Sequence, residues 1–177
     1  MSQQHVQLAG RIIAVIGIAT WIGAMCVARG DGLQDVRSSG ILRVAVPQDF
    51  PPFGTVGADL RAQGYDIDMA RLVAKGLGVK VELVPVTSAN RIPYLTTKKL
   101  DLVISSLGRS PEREKVIEFS TACAPFFNGV FGPADQKVSQ VRDRAGKTIG
   151  VTRGSVEDLE PSRIAPATAT IKRFDDP

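Results

Sequence analysis

Hydrophobic and polar positions alternate between two periods along this chain, and the changes of period mark its elements. Ile41 to Val46 is a short apolar run that reads as a strand, Leu42–Val46, closed by a stiff loop with prolines at 47, 51 and 52 around Phe50 and Phe53. Ile67, Ala70, Val73 and Leu77 then recur at helical spacing, with Asp66 as the predicted cap and Gly78 as the stop. Val79–Val84 alternates and is β-branched, so it reads as the next strand. A short helix capped by Ser88 and running through Ile92 and Leu95 follows, then a third strand over Leu102–Ile104. Strand and helix alternate, which predicts a mostly parallel sheet with helices on its faces.

The third strand runs into "SSLGRSPEREK". Ser110 suits an N-cap and Pro111 a first helical position, so the charges after it fit the solvated face of a short helix. The same residues also fit an anion site. Ligands collect at the carboxyl ends of strands in open α/β sheets, and Ser105, Ser106 and Arg113 stand at such an end. Further on, "APFFNGVFGP" is extended and aromatic, and reads as a segment crossing between two lobes. A new strand, Thr148–Val151, a glycine-containing turn and a helix with a capping box from Ser155 to Asp158 complete a second strand–turn–helix unit. Two such units describe a cleft, the usual place for a small polar ligand.

Composition narrows the chemistry. Lysines and arginines outnumber acids by 22 to 18, but the two signs are interspersed and aromatics make up 6%, which argues against nucleic acid as a partner. Arg11, an uncharged apolar run over 12–28 and the small residues of "CVA" predict a secretory signal peptide cleaved after Ala28. The run is shorter than the ~20 residues of a membrane span. Cleavage there removes His5 and Cys26, the only histidine and one of two cysteines. Cys123 alone cannot form an internal disulfide, and without histidine the usual zinc sites and the Cys–His and Ser–His catalytic pairs are excluded. No cofactor or metal is predicted, nor an enzyme.

The pieces "LRVAVPQDFPPF", "GYDIDMARLVAKGLGVKVELVPV", "NRIPYL", "DLVISSLGRSPEREKVIEFS", "GKTIGVTRGS" and "TIKRF" resemble, in order, the periplasmic amino-acid-binding proteins of ABC importers, the family 3 solute-binding proteins. The resemblance covers nearly everything from Ile41 onward. It implies an α/β fold: a two-lobed clamp of mostly parallel sheets flanked by helices, here with the second lobe incomplete. The implied division is signal peptide 1–28, leader 29–40, first lobe 41–126, crossing 127–132 and the start of the second lobe 133–177.

By the same resemblance Arg113 grips the α-carboxylate of an amino acid, Ser105 and Ser106 assist, Phe50 stacks on the ligand, and the turn from Thr152 to Ser155 contributes from the second lobe. The implied partner is the membrane permease of an ABC importer, the implied state a monomer, and the implied location the periplasm. Gly108 stands where many members carry a ligand-binding hydroxyl. Pro47 replaces an acid found there in binders of basic amino acids, so a neutral or acidic ligand is expected. Cys123 reads as a small buried hydrophobe. Members continue well past Pro177, and Asp175 and Asp176 read as loop residues, so the expectation is a fragment or truncated product of weak or absent affinity. The alternatives are a dehydratase of prephenate-like acids and the sensing module of a receptor.

Overall fold

The computed structural model describes residues 32–125 and 127–175. The predicted signal peptide, with its cleavage point, and Asp176 lie outside these residues. Strand β1 (Ile41–Pro47) lies at the centre of a parallel sheet, between β4 (Lys80–Val86) and β5 (Leu102–Val103). Its register runs from Ile41 opposite Lys80 to Pro47 opposite Val86, with Val44 and Ala45 opposite Leu102 and Val103. A strand buried on both faces needs a nearly continuous apolar run, and β1 has one. Pro85 is tolerated because β4 is an edge strand.

Alternate residues of β1 feed two cores. Val44 and Val46 pack with Ile67, Ala70 and Ala74 of α2 (Tyr65–Leu77) and with Val36 of α1 (Gly32–Ser39). Ala45 packs on the opposite face with Val86 and Leu100, against Tyr94 and Leu95. The last two belong to α3 (Arg91–Thr96). Each fully buried aliphatic side chain of this kind contributes roughly 1.5–3 kcal/mol. Arg43 and Asp101 tie β1 to the turn before β5: Nε and Nη2 donate to the carboxylate at 3.1 and 2.8 Å, and the Arg43 N–H donates to it at 2.9 Å.

Several local expectations shift. The stretch expected as a polar leader contains α1, whose Val36 is buried. Gly64, not Asp66, caps α2; Asp66 lies in its first turn and is buried. Gly78 does end α2, in the left-handed conformation at φ 71°. Asn90, not Ser88, caps α3, its Oδ1 accepting the Thr87 N–H at 3.0 Å. Short strands β2 (Thr55–Val56) and β3 (Ala62–Gln63) add a small antiparallel ribbon beyond the proline loop. Cys123 is exposed, contrary to its expected burial, because the chain around it has no regular structure and no core to enter.

Helix α4 (Pro111–Glu114) follows β5 as expected, with the Ser110 hydroxyl accepting the Arg113 N–H at 3.3 Å. Residues 127–133 have no regular secondary structure and are exposed, Phe131 at 95%. A second parallel pair follows: β6 (Thr148–Thr152) beside β7 (Thr170–Phe174), linked by α5 (Val156–Ile164). The Ser155 hydroxyl accepts the Asp158 N–H at 3.1 Å, which is half of the expected capping box. The Asp158 carboxylate reaches one residue further, accepting the Gly154 N–H at 3.2 Å and Arg173 Nε at 2.8 Å. That carboxylate fixes the turn between β6 and α5.

Candidate ligand site

The carboxyl ends of β1, β4, β5 and β6 converge on one cavity of about 330 Å³. Phe50 comes from the loop after β1, and Thr87, Ser88 and Arg91 from the end of β4 and the start of α3. Ser106 and Arg113 come from the turn and helix after β5, and Thr152, Ser155, Val156 and Glu157 from the turn after β6. Five of the six residues singled out from sequence therefore meet here: Phe50, Ser106, Arg113, Thr152 and Ser155.

Ser105 does not line the cavity. It is 2% exposed, and its hydroxyl is buried without a hydrogen-bond partner among the described residues. The two serines lie past the end of β5, where the chain bends, and Ser105 is buried there while Ser106 reaches the cavity. At Ser106 the chain then bends through φ 47°, a left-handed conformation unusual for a residue with a side chain.

Arg113 is 6% exposed although α4 is only one turn long. Its Nη1 donates to the Gly108 carbonyl at 2.6 Å and its Nη2 to the Gly154 carbonyl at 2.9 Å. A guanidinium has five N–H donors, so these two bonds hold the fork in place and leave three for a ligand. Burial pushes its pKa down, and Glu157 nearby opposes that. A buried cation with donors to spare, beside a cavity, suits an anion.

Arg91 was not singled out from sequence, yet it is 9% exposed and lines the same cavity. Its Nη1 donates to the Ser106 carbonyl at 3.4 Å. Behind it lies Asp66, whose carboxyl is pushed up by burial and held down in part by Arg91 and by the Ser106 N–H. Asp49 and Glu157 also border the cavity, but Asp49 is exposed and Glu157 half-buried, so water screens them. Phe50 is half-exposed at the mouth and stacks on Phe53, ring centres 5.6 Å apart.

The sequence profile of the bacterial extracellular solute-binding proteins, family 3, matches residues 42–164. The chain belongs to this family. Among family 3 relatives, a glutamine-binding protein of Geobacillus stearothermophilus is 31% identical over 76% of this chain and 53% of its own length. A crystal structure of a variant of the arginine-binding protein ArgBP from T. maritima superposes with a TM-score of 0.70, at 34% identity, over 82% of this chain and 63% of that one. A cyclohexadienyl dehydratase of Pseudomonas aeruginosa is 30% identical over 60% of this chain and 40% of its own. The family 3 chain described here thus spans less than two thirds of each of these relatives. Its fold is that of the two-lobed solute-binding clamp, and the β4-β1-β5 sheet and the β6–β7 pair are separate sheets within it.

Proposed function

We propose that this family 3 chain captures an amino acid in the cavity between the two turns and delivers it to the permease of an ABC importer. It acts as a monomer in the periplasm after removal of residues 1–28. The lobes divide as 41–126 and 133–177, with 127–132 crossing between them. The observation that carries this reading is Arg113, a buried guanidinium already held by two backbone carbonyls, with donors left over and facing a cavity. A carboxylate on such a fork makes charge-assisted hydrogen bonds of roughly 1.5–3 kcal/mol each. Thr152 and Ser155 complete the anion-binding side, Ser106 supplies a hydroxyl, and Phe50 covers the apolar part of the ligand. Ser105 supports the turn from beneath rather than touching the ligand.

Arg91 narrows the ligand class. A second buried guanidinium at the cavity wall disfavours a cationic side chain there. Thr87 and Ser88 line the same cavity. The side chain therefore ends in a carboxamide or carboxylate, as in glutamine or glutamate, in line with the neutral or acidic ligand expected from Pro47. Glutamine binding by the Geobacillus relative supports this, while arginine binding by the T. maritima protein weighs against it. A thermal-shift screen with millimolar L-amino acids tests the reading. Glutamine or glutamate raises the melting temperature most, and a rank order led by arginine and lysine refutes it.

A second reading, dehydration of a carboxylic acid, draws on the dehydratase relative and on Asp49 and Glu157 at the cavity wall. It predicts turnover of prephenate, followed by absorbance, with loss in Glu157→Gln. No absorbance change at micromolar chain removes it.

A further inference from the structure

The three parallel strands of the β4-β1-β5 sheet end at the cavity, so their first residues share the opposite edge. Helices α1, α2 and α3 each lead into one of these strands and finish at that edge. Cations gather there. Arg37 and Lys75 stand in the last turns of α1 and α2, Lys80 opens β4, and Lys98 and Lys99 precede β5, all five exposed. Arg43, the third residue of β1, adds a sixth. Two acids stand near: Asp101 accepts from the Arg43 guanidinium, and Glu82 lies opposite Arg43 in register. The edge thus carries six cations against two acids, whereas 22 meet 18 over the whole chain.

Part of this has an ordinary cause. A cation in the last turn of a helix complements the helix dipole, which accounts for Arg37 and Lys75. It does not account for Lys80, the first residue of a strand, or for the conformation of Lys98. The Lys98 N–H donates to the Leu95 carbonyl at 3.1 Å and the Lys99 N–H to the Tyr94 carbonyl at 2.9 Å, a pattern that ends a helix on a left-handed residue. Helix α2 ends in the same pattern on Gly78, at φ 71°. Helix α3 ends on Lys98 at φ 58°, a conformation that glycine adopts more readily. Backbone preference alone would place glycine there, so the lysine side chain is held at a conformational cost. Arg43 Nη1 donates to the Lys98 carbonyl at 3.1 Å, and Lys99 Nζ lies 4.5 Å from the centre of the Tyr94 ring, which fixes this corner.

Apolar side chains stand among these cations. Ile41 is 39% exposed and lies opposite Lys80 in register, and Leu72 is 62% exposed one turn before Lys75. Adjacent strands are about 4.8 Å apart, so the three strand ends, with helices beside them, form a broad array rather than a socket for one small anion. We propose that this edge is a docking face for an anionic phospholipid bilayer, its cations meeting the headgroups and Ile41 and Leu72 reaching the boundary beneath them. The cavity, at the other end of the strands, stays clear of the bilayer. The inference goes beyond the amino-acid reading of the cavity and does not depend on it.

Sedimentation with extruded vesicles tests the docking face. After removal of residues 1–28, the chain is expected to sediment with vesicles of phosphatidylglycerol and phosphatidylcholine and not with phosphatidylcholine alone, and to be released as sodium chloride is raised. Lys98→Gly lowers the vesicle partition coefficient about fivefold, the share of one lysine near an anionic surface. Its melting temperature holds or rises, because glycine suits the left-handed turn. Adding Lys80→Gln brings the loss to about twenty-fivefold. Lys172→Gln, an equal loss of charge on the separate β6–β7 sheet, leaves the coefficient unchanged.

Equal sedimentation with the two vesicle types overturns the proposal. So does a loss in Lys172→Gln that matches Lys98→Gly, since net charge alone then explains the binding. A lower melting temperature in Lys98→Gly makes that lysine a structural part of the turn and overturns its assignment. Polyphosphate, a soluble polyanion, tests the other kind of partner: if it holds the chain more tightly than vesicles of equal charge, the bilayer is the wrong one. No amino acid enters these measurements, so their failure leaves the reading of the cavity intact, and failure of that reading leaves them unaffected.

Discussion

Arg113 reaches across the cavity to Gly154, donating from Nη2 to its carbonyl at 2.9 Å, so the residue proposed to hold the ligand also joins the two lobes. Arg113→Met removes both functions at similar volume. The amino-acid thermal shift is expected to vanish, while the unliganded melting temperature stays within a few degrees, since a buried guanidinium is costly to desolvate. Arg113→Lys keeps the charge but cannot bridge two carbonyls and a carboxylate at once. Its affinity drops by at least about tenfold, a difference that calorimetry reads directly. A thermal shift that survives Arg113→Met sinks the carboxylate role.

Arg91 makes a sharper prediction because it concerns ratio rather than strength. Arg91→Gln keeps a donor but removes the charge, so glutamate loses more affinity than glutamine, by about one order of magnitude in the ratio of dissociation constants. The penalty on arginine as a ligand falls in the same variant. Competition calorimetry with the three amino acids measures all of this in one series. Equal losses for glutamate and glutamine place Arg91 away from the ligand's side chain.

Much of this site was legible because it rests on local rules. Ser110 and Pro111 announce α4, which fixes Arg113 at its third position. The mostly apolar run over Leu42–Val46 announces the strand β1. Arg91 was missed because charge at the start of a six-residue helix reads as solvated, and its burial comes from contacts distant in sequence. A signal existed: Arg91 follows the carboxyl end of β4, and the rule that singled out Arg113 after β5 applies there equally. Asp66 was misread as a cap because the preceding Gly64 already performs that turn at φ 131°, sending Asp66 inward. Ser105 lies off the cavity because the chain turns just past β5, at Ser106 with φ 47°, a bend that no local residue pattern announces. The expected leader hid α1 because only Val36 of its eight residues is buried.

Asp66 supplies a pH-dependent test. Burial, the largest influence, raises its pKa above the ordinary 3.8, while Arg91 and the Ser106 N–H oppose it. Its folded form therefore holds the proton more tightly than the unfolded chain. The cost of ionised Asp66 is fully present above the raised pKa and disappears below the ordinary value. Asp66→Asn lacks that titration. The melting temperature of the unaltered chain, relative to Asp66→Asn, is expected to rise as pH falls from 7 to below 4. A gap that stays constant with pH contradicts the raised value.

Asp101 works in the opposite direction and gives a control within the same fold. Burial pushes its carboxyl up, but two bonds from the Arg43 guanidinium and one from the Arg43 N–H outweigh it, and its pKa falls below 3.8. A lowered carboxyl pKa contributes stability that is present above the ordinary value and lost as pH drops through the lowered one. Asp101→Asn forfeits the charge and leaves the Arg43 N–H with a weaker acceptor at best. The pair is partly exposed, with Arg43 39% accessible, so solvent screening trims the loss to about 1–2 kcal/mol at neutral pH. Because the pair pins β1 to the entry of β5, the variant should unfold at lower urea with an unchanged slope. The gap to the unaltered chain then narrows as pH falls below 4, whereas the Asp66→Asn gap moves the other way in the unaltered chain's favour. Parallel urea titrations at pH 7 and pH 3.5 distinguish these signs, and a common direction for both variants contradicts the assignment of one buried carboxylate to strain and the other to pairing.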